Sequence, residues 1–208
     1  EIALTVRARL DRLGASRAMF SLLDSTPTVL RDRSLAAQDE AEQALKLGEI
    51  TLRLGIGVDE VGPDYVRIAG GNAVPADLVI WATGAEAPPM FRWSRLPTDS
   101  RGFLMVEDTL AVPDCPNLFG AGDAVSLISA PRAPKSVGDA AKQGPILAKN
   151  LRSALEGHTP LARFRSSGRY VALMNCGDGR AILSFSGFAA TNGMSMKLKD
   201  RMDRRFMR

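Results

Sequence analysis

The chain contains 208 residues, 45% of them hydrophobic, and carries a formal net charge of +4 at pH 7. This length and apolar content suffice for one large or two small globular domains with a buried core. The last twelve residues, KLKDRMDRRFMR, hold six Lys or Arg and two Asp, a net charge equal to that of the whole chain. The positive charge is therefore local, which argues against a nucleic-acid-binding protein with a cationic face.

The few cysteines and histidines limit the metal and redox chemistry. Cys115 and Cys176 are far apart, with no CxxC pair, and His158 is the only histidine. We therefore expect neither a metal site nor a redox disulfide. This cysteine usage, the absence of a signal peptide and the shortness of the apolar runs favour a cytoplasmic protein over a secreted or membrane-spanning one.

The first predicted element is an amphipathic helix. In EIALTVRARLDRLG the residues Ile2, Val6, Leu10 and Leu13 follow helical spacing, and the helix is predicted to stop at Gly14. The sequence starts without Met, and no capping residue precedes the first turn. We therefore expect the chain to be part of a longer protein.

Strands and helices alternate in the following residues. A short strand is predicted to end at Asp24, and a polar helix to run from Ser34 to Gly48. Two or three short strands follow between residues 50 and 71. The continuous apolar run AVPADLVIWATG then predicts a strand that ends at Gly84. This order predicts an α/β fold with parallel strands buried on both faces.

The second half begins with a Pro-rich crossover over residues 85–100, which predicts a domain boundary. Strands are predicted in GFLMVEDTL and in the apolar residues before Gly120. A helix ending near Gly157 and a hairpin centred on CGDG come next. The predicted domains are residues 1–84, 85–157 and 158–208.

The stretch NLFGAGDAVS places the carboxylate of Asp123 directly behind glycines. In an open α/β sheet, ligands bind outside the carboxyl ends of strands, where glycine lets the backbone approach them closely. A carboxylate there repels phosphate but accepts hydrogen bonds from hydroxyls, so Asp123 suits a ribose or ribityl chain, while neighbouring amides suit a pyrophosphate. The alternative is an ordinary helix N-cap, and this motif alone leaves both interpretations open.

A second motif accompanies the first one. ATG closes one predicted strand, and the GD of GAGDA closes a later one. This pair resembles the two-dinucleotide-binding flavoprotein oxidoreductases, which have a Rossmann-like FAD/NAD(P)-binding fold. The resemblance implies that Thr83 and Gly84 lie where the chain returns from the nucleotide domain to the flavin domain. It also implies that Gly122, Asp123 and Ala124 bind FAD, the aspartate through the ribityl chain.

The predicted helix narrows this resemblance. APKSVGDAAKQGPILAKNLRSALEG, GRAILSFSG and the basic tail are similar to type II NADH dehydrogenases, and more similar to the oxidoreductase domain fused to selenide, water dikinase. In those relatives this helix runs beside the flavin ring, which implies that Lys135, Gln143 and Gly144 are ring neighbours. A lysine and a helix N-terminus at that place stabilise negative charge on reduced flavin.

The resemblance also implies two residues for NAD(H). Glu1 would close a nicotinamide fingerprint, and Asp24 would accept the ribose hydroxyls and repel the extra phosphate of NADPH. The alternatives are that Glu1 is a solvated helix residue and Asp24 a turn residue. Because the fingerprint glycines of both cofactors are absent from the sequence, we expect the chain alone to bind either cofactor poorly and to be inactive.

These features predict part of an FAD-dependent NADH oxidoreductase that passes electrons to a quinone or another small acceptor. The flavin carries the chemistry, so no residue is predicted to be a catalytic acid or base. Gly138 stands where type II dehydrogenases usually carry Gln near the quinone pocket, which counts against quinone. The alternative function is a degenerate flavoprotein domain that regulates or docks onto a fused or neighbouring enzyme.

The basic tail has two interpretations. Met194, Leu198, Met202 and Phe206 repeat at i, i+4 spacing, with the arginines largely elsewhere. The tail helix either packs this stripe onto the body or a dimer mate, or lies with residues 194–208 on an anionic membrane surface. Both a homodimer and a peripheral contact at the inner face of the membrane are therefore open, whereas no nucleic-acid partner is expected.

Overall fold

The computed structural model describes residues 1–15, 17–166 and 171–206. The helices are α1 (Ile2–Arg12), α2 (Leu35–Leu47), α3 (Met90–Trp93), α4 (Val137–Leu155) and α5 (Gly193–Phe206). The strands are β1 (Phe20–Asp24), β2 (Ile50–Leu54), β3 (Val58–Val61), β4 (Tyr65–Ile68), β5 (Ala73–Pro75), β6 (Leu104–Val106), β7 (Val125–Leu127), β8 (Ala172–Asn175), β9 (Ala181–Phe185) and β10 (Phe188–Asn192).

Two compact units make up the fold. The first unit combines residues 1–80 with the described part of 169–208, and the second comprises the described part of 81–168. The sequence placed these divisions at residues 84 and 157 instead, and it did not predict that the two ends of the chain would share one unit.

The first unit contains the predicted strand–helix–strand arrangement. β1 and β2 are parallel, with Asp24 at the end of β1 as predicted. α2 begins after Ser34, whose side chain accepts a hydrogen bond from the amide of Ala37, and it ends at Gly48. These boundaries confirm the predicted helix. β1 is only half buried, so the prediction of strands buried on both faces is wrong for this strand.

The C-terminal hairpin completes the first unit. β8 and β9 pair antiparallel around CGDG as predicted, and β10 extends them to a three-stranded sheet against which α2 and α5 both pack. The core joins Leu4 of α1 and Leu45 of α2 to Cys176 and Ile182. Residues from both ends of the sequence therefore bury the same apolar surface.

The predicted strand that ends at Gly84 is wrong. Only β5 forms within that run, and residues 76–89 contain no strand or helix. Leu78 is 77% exposed and Trp81 is 62% exposed. Hydrophobicity alone does not make a strand, because its backbone amides and carbonyls need a neighbouring ladder. Among the described strands, none pairs with residues 77–84.

The strand predicted before Gly120 is also wrong. β6 forms within the predicted GFLMVEDTL and pairs with β7, a parallel neighbour that lies after GAGD rather than before it. Of the residues before Gly120, Phe119 makes an isolated bridge to Ala111. A Cβ atom at position 120 would lie 2.7 Å from Val125 Cγ1, so this backbone packs directly against β7.

The tail helix leaves its apolar stripe uncovered. Met194, Leu198 and Met202 are 80%, 43% and 47% exposed, whereas Ser195 is buried. The interpretation that the stripe packs onto the body is therefore wrong for the described residues. The Phe206 side chain and Arg208 lie outside the part of the chain that is described. None of the described helices combines the length and the apolar character needed to cross a membrane.

A close backbone approach joins the two ends of the first unit. Gly177 has φ +83°, and a Cβ atom there would lie 2.6 Å from the carbonyl oxygen of Leu4 and 2.8 Å from Cβ of Ala8. Gly179, in the same hairpin turn, has φ +87° but no atom within 4 Å of the corresponding position. The two glycines therefore share the backbone constraint, and only Gly177 has the steric one.

Alanine substitutions at these positions separate the two constraints. Gly179→Ala should lower the free energy of unfolding by about 1–2 kcal/mol because of its left-handed backbone alone. Gly177→Ala should lower it by roughly 3 kcal/mol, since the methyl group also collides with α1. Urea unfolding followed by circular dichroism measures both values. Equal losses in the two variants would show that α1 does not pack against the turn.

Candidate cofactor-binding site

The candidate site lies in the second unit, on the turn that leads into β7. The backbone reaches this turn by packing Gly120 against Val125, and the Gly120 amide donates to the Leu110 carbonyl at 2.9 Å. Gly122 follows with φ +76° and opens a single 3₁₀ turn, Gly122–Ala124. Asp123 is thereby placed in the turn before a strand, not at the carboxyl end of one.

The carboxylate of Asp123 is exposed and has no hydrogen-bond donor among the described residues. The 3₁₀ turn has no side-chain cap, so Asp123 does not act as the ordinary N-cap that the sequence left open. No atom lies within 4 Å of a Cβ position built at Gly122. A hydroxyl-bearing chain could therefore approach this turn and donate to the carboxylate without displacing a side chain.

One face of α4 carries three buried polar side chains. Asp139 accepts a hydrogen bond from the Ser166 hydroxyl at 3.1 Å. Gln143 accepts one through Oε1 from the Gly122 amide at 2.6 Å. Asn150 donates from Nδ2 to the Thr109 and Ala162 carbonyls, at 2.7 Å and 2.8 Å. It also accepts from the Ala162 amide at 2.7 Å.

Lys135 stands next to this turn. Its ammonium donates to the carbonyl of Val125 and lies 4.1 Å from the centre of the buried Phe103 ring. Burial lowers the pKa of Lys135, the charge of Arg101 lowers it further, and the carboxylates of Asp99 and Asp123 partly oppose the shift. A cation is thus held over an aromatic face, where its charge interacts with that of the candidate acid.

Asp99 organises the loop that carries Phe103. Its Oδ1 accepts hydrogen bonds from the amides of Arg101 and Phe103, at 2.9 Å and 3.0 Å. Burial by itself would raise the pKa of Asp99. The hydrogen bonds from Phe103, Ser126 and Arg101 outweigh it and hold the pKa below its usual value. The loop therefore stays fixed while Asp99 is ionised.

A cleft of about 30 Å³, which is room for one water molecule, borders the turn. Four of the residues predicted for FAD line it: Gly122, Asp123, Lys135 and Gln143. The other four do not: Thr83, Gly84, Ala124 and Gly144. The cleft is too small to enclose a ring system. The open space at Gly84 and Gly144, where no atom lies within 4 Å of a Cβ position, is compatible with a ligand outside the cleft.

The two residues predicted for NAD(H) lie in the first unit, each with a partner. Asp24 Oδ1 accepts from the amide and the hydroxyl of Thr26, both at 2.8 Å, so Asp24 is at least a turn residue. Glu1 forms an ion pair with Lys199 of α5 at 3.1 Å. Burial would lower the pKa of Lys199, but hydrogen bonds to Asp203 and Glu1 outweigh it and raise that pKa.

The family model for pyridine nucleotide-disulphide oxidoreductases matches residues 2–144. The chain belongs to this family. The resemblance to flavoprotein oxidoreductases and the α/β fold are thereby confirmed, and the likeness to the domain fused to selenide, water dikinase stays a prediction.

The chain is also similar to individual oxidoreductases. An NADH dehydrogenase-like protein of Mycobacterium tuberculosis is 34% identical over 49% of the chain and 26% of its own length. A type II NADH:quinone oxidoreductase of the same organism is 22% identical over 89% of the chain and 42% of its own length. The sulfide:quinone oxidoreductase of Aquifex aeolicus shares the fold, with 16% identity, a TM-score of 0.75 and coverage of 99% of this chain and 53% of that one. The chain thus spans less than half of these two curated relatives.

Sequence reasoning missed the roles of Asn150 and Asp99 in this chain. Asn150 is fully buried in the middle of α4, where asparagine is a poor helix former and its amide must find partners. An Asn among the apolar residues of LAKNL was the available signal. For Asp99 the sequence contained no signal beyond a possible turn at DSRG, because its hydrogen bonds form only when the loop folds back.

Asn150→Ala should destabilise the second unit by roughly 2–4 kcal/mol, because it leaves three backbone groups of the half-buried residues Thr109 and Ala162 without this partner. The matched control is Lys149→Ala, an exposed neighbour on the same helix. Urea unfolding followed by circular dichroism compares the two variants. A loss in Asn150→Ala no greater than in the control would contradict the role of this side chain.

Proposed function

We propose that the full-length protein is an FAD-dependent NADH oxidoreductase that delivers electrons to a small acceptor. The observation that carries this proposal is the exposed carboxylate of Asp123 on an open glycine turn, with no described donor. Family membership supports the class of chemistry. Bound FAD supplies the acceptor for a hydride from NADH, and the protein supplies binding, orientation and electrostatics.

On this proposal Asp123 accepts hydrogen bonds from the hydroxyls of the ribityl chain. Lys135, held by the Val125 carbonyl and the Phe103 ring, places a positive charge beside the same turn. That charge stabilises a cofactor that gains negative charge on reduction. Thr83, Gly84, Ala124 and Gly144, which do not line the cleft, complete the proposed FAD set.

For NAD(H) we propose Asp24 as the acceptor of the ribose hydroxyls. Its turn with Thr26 engages Oδ1, and the described hydrogen bonds leave Oδ2 for a ligand. A carboxylate at this place disfavours the additional phosphate of NADPH, so NADH is the expected donor. Glu1 remains a proposed member of this site, and its use by a ligand would compete with its ion pair to Lys199.

Quinone is the proposed acceptor class, supported by the names of relatives such as the type II NADH:quinone oxidoreductases of M. tuberculosis and Haemophilus influenzae. Gly138 lies in the first turn of α4, with Ser136 Oγ 4.0 Å from a Cβ position there. Because Gly138 has no side chain where type II dehydrogenases usually carry Gln, the acceptor can also be a small molecule other than quinone. Turnover with a quinone and with a soluble dye would separate these acceptors.

The full-length protein should show a flavin absorption spectrum that bleaches on addition of NADH. Asp123→Asn should weaken FAD binding about tenfold to a hundredfold, because hydrogen bonds to a charged acceptor are lost or weakened. Titration of the apoprotein with FAD measures this loss. The control is Asp114→Asn, an exposed acid in the same unit.

The same titration tests the alternative of a non-catalytic partner domain. A full-length protein that folds, stays colourless and refuses added FAD would overturn the enzyme proposal and support a regulatory or docking domain. Equal FAD affinity in the two aspartate variants would remove Asp123 from the site.

We further propose that α5 holds the protein at the cytoplasmic face of the membrane. The exposed stripe of Met194, Leu198 and Met202 lies on a helix that also exposes basic residues. The exposed basic residues are Lys197, Arg201, Arg204 and Arg205. An apolar stripe flanked by cations suits an anionic bilayer surface.

Replacing the three stripe residues by Gln should abolish cosedimentation with anionic vesicles while the charge stays constant. Leu155→Gln, which removes a side chain that is 90% exposed in the second unit, is the control. Wild-type protein should bind phosphatidylglycerol vesicles but not phosphatidylcholine vesicles. Failure to bind the anionic vesicles, together with a concentration-dependent dimer that the Gln variant loses, would assign the stripe to a homodimer instead.

A further inference from the structure

Gln143 is buried at 5% exposure on α4, one helical turn after Asp139. Its Oε1 accepts a hydrogen bond from the backbone amide of Gly122 at 2.6 Å. Although Gln143 lines the cleft, so little of it is exposed that a ligand could contact only a small part of the side chain. Its described contact is with the protein backbone.

The turn that donates this hydrogen bond has little else to fix it locally. It is a single 3₁₀ turn without a side-chain cap. Gly122 has a left-handed backbone and open space on its Cα side, so side-chain packing does not restrain it there. A glycine with this freedom samples many conformations unless a partner selects one.

We propose that Gln143 is a positioning residue, which fixes the direction of the Asp123 carboxylate by holding the Gly122 amide, and not a residue that contacts the flavin ring. The inference rests on the proposed function. Asp123 follows Gly122 directly, so a rotation of this peptide unit moves the carboxylate relative to a bound polyol. A displacement of about 1 Å in a binding group can cost on the order of a hundredfold in function.

The contact itself is tested without any cofactor. Hydrogen–deuterium exchange at the Gly122 amide should be slow in the wild-type protein and in Gln143→Glu, which retains an acceptor oxygen. It should be at least tenfold faster in Gln143→Leu, which has a similar volume and no acceptor. Lys142→Leu, at the exposed neighbouring position, should exchange like the wild type. An unchanged rate in Gln143→Leu, with circular dichroism confirming the fold, overturns the inference.

A double-mutant cycle tests whether Gln143 acts through Asp123. Gln143→Leu should weaken FAD binding roughly tenfold, and Gln143→Glu should restore much of the affinity. In the Asp123→Asn background Gln143→Leu should add little, because the carboxylate that it positions is already gone. Losses that multiply would mean that Gln143 contacts the cofactor independently, which overturns the inference.

The two failures are distinguishable. A wild-type protein that binds no FAD overturns the proposed function, whereas the exchange experiment still decides whether Gln143 holds the turn. Conversely, strong FAD binding with unaltered Gly122 exchange in Gln143→Leu overturns the positioning role and leaves the proposed function in place.

Discussion

The second unit depends on hydrogen bonds made by the buried polar face of α4. Within its described residues the sheet contains only β6 and β7, and a two-stranded ladder is marginal by itself. The surrounding loops therefore need other partners for their buried backbone groups. Asn150 binds the segments at Thr109 and Ala162, and Gln143 binds the turn at Gly122. Because both side chains project from one face of α4, these contacts connect the candidate site to the segments at Thr109 and Ala162.

The first unit depends on a different constraint, the meeting of residues that are far apart in the sequence. The turn at Gly177 lies against the backbone of Leu4, and Glu1 is paired with Lys199. The C-terminal sheet and α5 thus contact the N-terminal residues of the unit that contains Asp24. Nucleotide binding and contact with a membrane, two of the proposed roles, therefore belong to the same unit. Lys199 of α5, the proposed membrane helix, is paired with Glu1, a residue proposed for NAD(H).

Local chemistry predicted several elements well. Ser34 and Gly48 mark the ends of α2, and CGDG marks the hairpin, because caps and tight turns depend on a few neighbouring residues. The runs LVIWATG and NLF were misread as strands. A run of apolar residues indicates a preference for burial. A strand forms only where another strand supplies its hydrogen bonds. The exposed stripe of α5 shows the same limit, since periodicity indicates a face and not what covers it.

At the candidate site, the chemical groups are already evident from the residues and their order along the chain. The sequence supplies an acid behind glycines at Asp123, a lysine before a capped helix and a family signature that the comparisons bear out. The contacts of these groups follow from the fold alone. The fold places Asp123 before β7 and gives its carboxylate no hydrogen-bond donor among the described residues. It also joins Gln143 to Gly122 across 21 positions in the chain. A motif shows which groups lie close together in the sequence. Which distant segments contact those groups depends on packing and on the need to satisfy every buried polar group.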